Sequence, residues 1–413
     1  MPQNTNVLTP PQNTLKAHII FTCILLVYIA SLLFNINEIS IYHKEVFGLL
    51  YSNEIAFKIA GFAYEHFGGN DFALRAPFLC LHIINVVLFY VICLSYFKRP
   101  YDCVLCVITF MFLPGLVFNA ILIAKSNLVI FIALLCVLWQ MRFKKNAYFL
   151  PAISIFIDQS FSILFLGLFF YAMKERNTPY MFFALVCFGI NMNIFEFGIG
   201  GRPQNHFVET LGNLIFLFSP LLFLYSLYAL VDSLRKGSDL MGIISLVAII
   251  FVSLLSIRQN VDLQTFLPLG VFCIPVALKK MLNDIRVRLK LFQRPYIARL
   301  VIVLFFTFAQ TALLYGNKFL YLFTIKTHFA HSYYYGKEIA EKLRQKGIDS
   351  IRADEHRIDM QLRFYGISKD SPLILRSIEV ERVREVDASR LITVEYLGRI
   401  IVAYEIIDSL KSK

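Results

Sequence analysis

Long apolar stretches separated by short polar segments dominate the chain. The first stretch covers residues 17–34, and nine more follow it. These nine cover residues 77–97, 103–124, 128–141, 148–173, 181–197, 211–231, 240–257, 267–278 and 297–315. A helix needs about 20 consecutive apolar residues to cross a bilayer. The pattern therefore predicts a polytopic α-helical membrane protein with about nine to eleven transmembrane helices in residues 16–315, behind a cytoplasmic tail of residues 1–15.

One of these stretches, residues 148–173, contains the polar pair Asp158 and Gln159 near its middle. Basic residues flank it on both sides, namely Arg142, Lys144, Lys145, Lys174 and Arg176. Because Lys and Arg favour the cytoplasmic side, two short helices that turn at Asp158 fit the charges better than one long helix. Two half-length helices cannot cross the bilayer, so their turn has to be buried in protein or in a cavity. We therefore predict a short-helix hairpin here.

The same charge rule orients the remaining loops. It places the N-terminus and the strongly basic segment 279–299 in the cytoplasm. It places the loop of residues 35–75, the loop of residues 198–210 and everything after residue 315 on the outer side of the membrane.

Composition agrees with a membrane protein. Hydrophobic residues make up 58% of the chain and charged residues 16%, whereas soluble domains have about 45–50% and about 25%. The net charge of +12 comes from Lys and Arg in short loops, which indicates membrane orientation and not nucleic-acid binding. The eight Cys residues lie in or beside apolar stretches, so we interpret them as small buried side chains and expect no disulfide framework.

The composition changes abruptly after residue 315. Residues 336–346 have helical character, and residues 359–365 are predicted to form a second helix. Short strands are predicted at residues 350–353, 373–375, 391–395 and 399–406. Together these elements predict a small extramembrane α/β domain of residues 316–413.

Acidic residues are concentrated in the first outer loop, residues 35–75. They are Glu38, Glu45, Glu54, Glu65 and Asp71. A carboxylate at the outer end of the first helix is well placed to act on a lipid-linked substrate at the membrane surface. The alternative is a solvated acidic loop without a chemical role, and charge alone leaves both interpretations open.

The two ends of this loop carry recognisable segments. The loop opens with Glu38-Ile-Ser-Ile-Tyr42 and closes with His66-Phe-Gly-Gly-Asn-Asp-Phe-Ala-Leu-Arg-Ala-Pro77. They resemble the first outer loop of the glycosyltransferase C superfamily, which has an acidic pair followed by Tyr, and later a Phe-Gly and an Ala-x-Arg. The nearest resemblance is to the aminoarabinose transferases of lipid A and the protein O-mannosyltransferases. Two alignments stay open, with either Glu38 or Asn37 in the acidic position.

Further segments follow in the same order as in that superfamily, so the resemblance covers residues 17–277 in patches. Asp158 lies where the family has a Lys-Gly hairpin apex. Pro203-Gln-Asn-His-Phe207 is similar to an outer His-x-Phe segment, and Phe218-Ser-Pro220 is similar to the Leu-Pro-Trp that follows it. Arg258 and Leu267-Pro-Leu269 resemble a basic residue and a Tyr-x-Leu-Pro in a later helix.

The resemblance implies a glycosyltransferase that moves a sugar from a polyprenyl-phosphate donor to a lipid, glycan or protein acceptor by a single inverting displacement. It implies Glu38 as the catalytic base, with Asp158 as a second catalytic candidate. The candidate substrate-binding residues are Tyr42, Arg75, Arg202, His206 and Arg258. Arg258 is the preferred phosphate partner, because a guanidinium matches phosphate oxygens in geometry and charge. The cofactor stays open, with a divalent metal as the one candidate.

Each candidate also has a purely structural interpretation. Arg75 and Arg258 lie at helix ends, where arginine side chains commonly snorkel to the membrane surface. Arg202 can be an ordinary loop charge, and His206 can be a structural side chain. Asp158 can cap the second half-helix of the hairpin.

Two other classes of function are compatible with the helical pattern. One is a transporter or flippase of a lipid-linked sugar, although the repeated broken helices typical of transporters are not visible. The other is an O-antigen polymerase or ligase, which typically carries a large outer loop late in the helix array. No Asn-x-Ser/Thr sequence occurs in the chain, which favours a bacterial inner membrane and an undecaprenyl-phosphate donor. The sequence leaves the sugar and the acceptor open.

Overall fold

The computed structural model describes residues 13–195, 206–237, 239–262, 268–322, 333–379, 382–383 and 386–408. The chain divides into two compact units. The first, here called the helical unit, comprises Met1–Leu32 and Phe78–Thr311. The second, here called the α/β unit, comprises Leu33–Pro77 and Ala312–Lys413. The first outer loop thus belongs to the same unit as the C-terminal residues, a grouping that the sequence pattern did not predict.

Helices account for most of the described chain. The helices are α1 (Asn13–Glu38), α2 (His43–Tyr51), α3 (Ile55–Phe67), α4 (Asp71–Tyr96), α5 (Pro100–Met111), α6 (Pro114–Ile121), α7 (Ser126–Phe143), α8 (Phe149–Ser154), α9 (Phe161–Lys174), α10 (Thr178–Ile194), α11 (His206–Phe218), α12 (Pro220–Lys236), α13 (Leu240–Ser256), α14 (Cys273–Val287), α15 (Arg294–Tyr315), α16 (Tyr335–Gln345) and α17 (His356–Phe364). Short 3-10 turns cover Pro268–Phe272, Lys290–Phe292 and Asn317–Leu322. The strands are β1 (Arg352–Ala353), β2 (Leu373–Ile378), β3 (Leu391–Tyr396) and β4 (Arg399–Asp408).

Several helices have the length and composition of membrane spans. Within the described residues, four helices qualify: Thr14–Glu38, Asp71–Tyr96, Ser126–Phe143 and Arg294–Tyr315. Counting the bent pairs α5–α6 and α11–α12 as one span each raises this number to six in the described part of the chain. The helices α9, α10 and α13 are apolar but shorter. The finer count of nine to eleven transmembrane helices stays a prediction.

Apolar side chains on the outside of the long helices point to the same class of protein. Val27 in α1 is 71% exposed, and Phe305 in α15 is 64% exposed. Large apolar surfaces on long helices are typical of contact with lipid or with a partner. Together with the apolar helices, they identify a multi-pass membrane protein.

Proline divides two of the predicted helices. The angle between α5 and α6 is 61°, and the angle between α11 and α12 is 98°. Pro114 begins α6 and Pro220 begins α12. A proline ring lacks the backbone N–H and clashes with the preceding turn, so it ends the helix before it. The stretches 103–124 and 211–231, each predicted as one helix, are therefore bent pairs, and Ser219 accommodates the sharper bend with a φ of +67°.

The stretch of residues 148–173 is broken where the charge pattern predicted. α8 ends at Ser154 and α9 begins at Phe161, with Asp158 between them. Tyr148 and Lys174, beside the two far ends of these helices, line the same cavity of 1040 Å³. One straight helix of this length would separate its ends by about 39 Å. The two helices thus form the predicted hairpin within the helical unit.

The strands of the α/β unit form one sheet. In the described chain it has four strands in the order β1-β2-β4-β3. The pair β1–β2 is parallel, and the pairs β2–β4 and β3–β4 are antiparallel. Leu397 and Gly398 connect β3 to β4 with φ values of +52° and +75°, as a two-residue hairpin turn requires. A helix or strand is present at each position predicted for this part of the sequence. β2 and β4 are longer than predicted, β1 is shorter, and α17 begins three residues earlier.

The core of the α/β unit lies between this sheet and two helices. Ile339 and Leu343 of α16 pack there with Ile358 and Leu362 of α17. The sheet contributes the buried side chains Leu375, Ile392 and Val394. Burying these aliphatic side chains supplies the main favourable free energy for the folding of this unit.

Most of the predicted outer loop is helical. α1 continues to Glu38, and α2 and α3 follow before α4 begins at Asp71. The helices α2 and α3 cross closely at Gly48, where an added Cβ would lie 2.2 Å from Cζ of Phe57. A larger residue at position 48 would therefore require the Phe57 ring to move.

Candidate active site

A buried arginine holds the segment that follows α1. Arg75 lies one turn inside α4 and is fully buried. Its guanidinium donates to the carbonyl oxygens of Ile39 at 2.8 Å and Ser40 at 3.0 Å, and to Oε2 of Glu45 at 3.0 Å. The same Glu45 oxygen accepts the backbone N–H of Tyr42 at 3.0 Å. We call these five residues the Arg75 cluster.

These contacts give Arg75, the arginine of the Ala-x-Arg segment, a structural role. A buried guanidinium is costly unless it is paired and hydrogen-bonded, and here a carboxylate and two carbonyls satisfy it. Arg75 therefore fixes the path of the chain between α1 and α2. Its predicted contact with substrate stays a prediction.

The turn between α3 and α4 sets the position of Arg75 and of an acidic neighbour. Gly68 and Gly69 have φ values of +114° and +61°, a conformation that glycine adopts without steric cost. Oδ1 of Asn70 then accepts the N–H of Ala73 at 2.7 Å and caps the start of α4. α4 consequently begins at Asp71, four residues before Arg75 on the same helix face.

Asp71 is held by a tyrosine from the C-terminal part of the α/β unit. The hydroxyl of Tyr365 lies 3.0 Å and 3.1 Å from the two carboxylate oxygens of Asp71, and it accepts the N–H of Ile41 at 2.9 Å. Burial and the neighbouring Asp71 carboxylate raise the pKa of the Tyr365 phenol above its usual range. The phenol thus stays protonated and donates to Asp71. Nζ of Lys337 lies 4.0 Å from Oδ2 of the same carboxylate.

A cavity of 490 Å³ opens beside Asp71 within the α/β unit. Its charged lining residues are Asp71, Glu341, Lys337 and Arg344. Its aromatic lining residues are Tyr64, Phe72, Phe364 and Tyr365. Asn37, the last residue but one of α1, lies on its wall as well. The volume is within the range of small-molecule sites, which is about 300–1,000 Å³.

Glu38 lies away from the lining of this cavity. Its Oε2 forms an ion pair with Nζ of Lys318, and its side chain is 38% exposed. The Lys318 ammonium also lies 5.3 Å and 4.9 Å from the ring centres of Tyr334 and Tyr396. Burial raises the pKa of the Tyr334 phenol to about 12. The two alignments therefore select residues in different surroundings. Asn37 lines the cavity, whereas Glu38 is paired with Lys318.

Tyr42, the other predicted residue of this segment, stacks on a neighbouring ring. Its ring centre lies 4.5 Å from that of Tyr333, with the planes 23° apart. It is half-buried and is absent from the described lining of the cavity. Its role in substrate binding stays a prediction.

In the helical unit, Asp158 lies at the turn of the hairpin and has two kinds of contact. Its Oδ1 accepts the N–H of Ser160 at 2.9 Å and the hydroxyl of Ser160 at 2.5 Å. Its Oδ2 lies 3.8 Å from Nζ of Lys125, and both side chains are about nine-tenths buried. Nδ2 of Asn191 donates to the carbonyls of Ile155 at 2.8 Å and Asp158 at 3.1 Å. We call Lys125, Asp158, Ser160 and Asn191 the apex cluster.

The apex cluster bears on both interpretations of Asp158. The contacts with Ser160 stabilise the turn before α9 and are not the predicted helix cap, since Ser160 is the N-cap residue of α9 and no side chain caps it in the described part of the chain. The ion pair with Lys125 adds a buried charge pair, which in a membrane protein is by default a functional candidate. Sequence reasoning missed Lys125, although a single Lys between the apolar stretches 103–124 and 128–141 was a visible signal.

Some buried polar atoms in and near this cluster lack a hydrogen-bonding partner. Within the described residues, Asn191 Oδ1, Ser162 Oγ, Ser126 Oγ and Asn85 Oδ1 have no hydrogen-bonding partner. An unsatisfied buried polar atom costs about 1–3 kcal/mol. Such atoms are where a water or a ligand group would be stabilised most.

The remaining predicted residues occupy other places. His206 is the first residue of α11, and its Nδ1 lies 3.9 Å from Oε2 of Glu209. Arg258 is exposed just after α13. Arg202 lies outside the described residues. Glu38, Tyr42 and Arg75 belong to the α/β unit, and Asp158, His206 and Arg258 belong to the helical unit.

No group of three or more His, Cys, Asp or Glu side chains in the described parts of the chain could hold a metal ion. No family model matches the chain, and no curated protein sequence matches it.

Proposed function

We propose that the protein is a membrane glycosyltransferase that moves a sugar from a polyprenyl-phosphate donor to a lipid, glycan or protein acceptor. The observation that carries this proposal is the 490 Å³ cavity of the α/β unit, where the Asp71 carboxylate lies 4.0 Å from the Lys337 ammonium. A group that accepts a proton and a group that binds phosphate thus occur side by side.

The other lining residues fit the same substrate. Arg344 adds a guanidinium, which binds phosphate oxygens through paired N–H groups. The rings of Tyr64, Phe72 and Phe364 offer apolar faces against which the C–H face of a sugar can pack. The cavity thus combines two carboxylates, two cations and aromatic walls, and these groups can bind a sugar phosphate.

The reaction is a single displacement with inversion at the anomeric carbon. The acceptor oxygen or nitrogen attacks that carbon, and the bond from the carbon to the phosphate oxygen breaks. Asp71 accepts the proton of the attacking group, as a general base. The lipid phosphate leaves with the bonding electron pair, and Lys337 and Arg344 stabilise its negative charge.

This mechanism assigns the base to Asp71 and not to Glu38. Asp71 lines the cavity and is oriented by the Tyr365 hydroxyl, whereas Glu38 is engaged by Lys318. Tyr365 and Arg75 act in this proposal as positioning residues for Asp71 and for the segment after α1.

The proposed location is a bacterial inner membrane, with the α/β unit on its outer side and undecaprenyl phosphate as the donor lipid. The placement of basic residues supports this orientation. Lys144, Lys145, Lys174 and Lys279, from three segments that the charge rule puts in the cytoplasm, line one cavity of the helical unit.

The test is mass spectrometry of envelope lipids and glycoproteins from a deletion strain of the source organism. We expect one glycan mass to disappear and to return with the intact gene. Asp71→Asn should lower its formation by about 10²–10⁴-fold, the usual contribution of a general base. Glu65→Gln is the matched control, since Glu65 is an exposed acid of the same segment and lies outside the described cavity lining.

Three outcomes would contradict the proposal or a part of it. A deletion strain with unchanged lipids and glycoproteins would refute the glycosyltransferase function. Full transfer by Asp71→Asn would refute Asp71 as the base. Loss of transfer in Glu38→Gln, with equal amounts of protein in the membrane, would return that role to Glu38.

A further inference from the structure

A large polar cavity lies in the helical unit, among residues that the proposed reaction does not use. Its volume is 1040 Å³. Its charged lining residues are Lys144, Lys145, Lys174, Lys279, Glu175 and Asp239. Four ammonium groups against two carboxylates give this cavity a net positive charge, with Lys174 and Glu175 paired at 3.3 Å, so an anionic occupant would be favoured there.

The lysines come from separate elements and converge on this cavity. Lys144 follows the end of α7, Lys174 ends α9 and Lys279 lies in α14. Nζ of Lys279 lies 3.8 Å from the centre of the Tyr96 ring, which also lines the cavity. This cation–π contact positions the ammonium at the wall.

A second cavity of 630 Å³ adjoins the first one. Ser95, Met141 and Tyr148 line both cavities. Most other residues of the second cavity are apolar, among them Leu135, Leu138, Trp139, Phe143 and Phe149. The two cavities are therefore neighbours with a shared wall, one of them cationic and the other mainly apolar.

The aromatic residues of the apolar part face outward. Trp139 is 45% exposed, Phe143 is 55% exposed and Phe149 is 73% exposed. Trp and Tyr are enriched at the level of lipid headgroups, where one end of the ring is apolar and the other is wet. This part of the site is thus accessible from the surrounding lipid.

We propose that the two cavities bind one anionic phospholipid, with its headgroup phosphate among the lysines and an acyl chain against the apolar wall. Basic pockets between transmembrane helices are the usual places where proteins hold anionic lipids. A soluble phosphorylated molecule would use the cationic cavity but would leave the adjoining apolar cavity empty. This inference is independent of the proposed glycosyltransferase activity.

The test is native mass spectrometry of the purified, delipidated full chain with added phosphatidylglycerol or phosphatidylcholine. We expect the phosphatidylglycerol complex to dominate. The triple variant Lys144→Gln/Lys145→Gln/Lys279→Gln should raise the dissociation constant for phosphatidylglycerol about a hundredfold, since each basic group near an anionic lipid contributes about 1 kcal/mol. The matched control is Lys16→Gln/Lys98→Gln/Lys290→Gln, which removes the same charge from three exposed lysines outside the described linings.

Two further experiments distinguish binding of a lipid from binding of free phosphate. Leu135→Trp narrows the apolar cavity and should weaken phosphatidylglycerol binding without creating or removing a charge. Inorganic phosphate at equal concentration should not displace the lipid. Equal loss of binding in the control triple variant, unchanged binding in Leu135→Trp, or displacement by inorganic phosphate would each overturn the phospholipid proposal, provided that the variants unfold at the wild-type temperature.

Discussion

The Arg75 cluster and the apex cluster both bury a charge, and they do so in opposite ways. Arg75 lies 3.0 Å from its carboxylate partner and donates to two carbonyls, with Nε as its one group without a partner among the described residues. Asp158 lies 3.8 Å from Lys125, and several buried oxygens around it have no partner in the described chain.

This difference in hydrogen bonding distinguishes structural charges from candidate functional charges in this fold. A cluster with close ion pairing and many hydrogen bonds stabilises its own conformation, and its loss is expressed as instability. A cluster with a long ion pair and unsatisfied oxygens gains less free energy from its own contacts. Its unsatisfied oxygens are available to bind a water or a ligand group. Four changes test this comparison.

Arg75→Met should have the largest effect. It leaves Glu45 and two carbonyls buried without their donor, which costs about 3–5 kcal/mol. Amide hydrogen exchange of residues 39–45, measured by mass spectrometry on the full chain, should accelerate by two orders of magnitude or more, as about 3 kcal/mol implies. Arg352→Met is the control, because Arg352 is exposed in the same unit. Wild-type exchange in Arg75→Met would show that this cluster does not hold the segment.

Tyr365→Phe should have the next largest effect. It removes the hydroxyl that donates to Asp71 and accepts from Ile41, at a cost of about 1–3 kcal/mol. Hydrogen exchange at the amide of Ile41 should become faster, because this amide loses its acceptor. Tyr64→Phe is the control, since no hydrogen bond of the Tyr64 hydroxyl occurs in the described structure. Equal effects of the two changes would mean that the ring matters more than the hydroxyl.

The Lys125–Asp158 pair should contribute less than the Arg75–Glu45 pair. A double-mutant cycle with Lys125→Met and Asp158→Asn should give a coupling energy of about 1 kcal/mol in thermal unfolding, because the charged atoms are 3.8 Å apart, beyond hydrogen-bonding distance. A coupling of about 3–5 kcal/mol would erase the distinction between the two clusters.

The smallest effect is expected from pH acting on His43 at the start of α2. Burial, followed by the charges of Arg357, Lys44 and His356, lowers the pKa of His43 below 6.5. The folded state therefore prefers the neutral imidazole. Its contribution to stability is present above pH 6.5 and is lost as the pH falls toward the lowered pKa.

Hydrogen exchange can measure this pH effect. Protection of α2 amides, corrected for intrinsic exchange, should fall in the wild type as the pH is lowered from above 6.5 toward the lowered pKa of His43. In His43→Gln the protection should be independent of pH over that interval. A pH dependence that persists in His43→Gln would assign it to another group.

The sequence predicted features that local patterns determine. Basic residues on both sides of 148–173 predicted the break at Asp158, and short strand-like segments predicted the strands of the C-terminal part. The bend at Pro114 was also available from local rules, but the apolar stretch was long enough to conceal it.

Contacts between distant residues were beyond the reach of these patterns. Tyr365 meets Asp71 across 294 positions, so the sequence showed only an acidic loop residue. Arg75 had the signature of a helix end, and only the fold of residues 39–45 around it shows that it is buried. The pairing of Lys125 with Asp158 likewise depends on how the hairpin packs.

The Asn70 cap fixes where α4 begins and therefore fixes the positions of two residues of the candidate site. Asp71 and Arg75 are four residues apart, so one face of the helix carries both the cavity carboxylate and the anchor of the preceding segment. One residue inserted between them would rotate Asp71 about 100° around the helix axis while the anchor kept its place. The spacing of these two residues, as much as their chemistry, therefore sets where the Asp71 carboxylate lies in the cavity and, in the proposed reaction, where it would meet an acceptor.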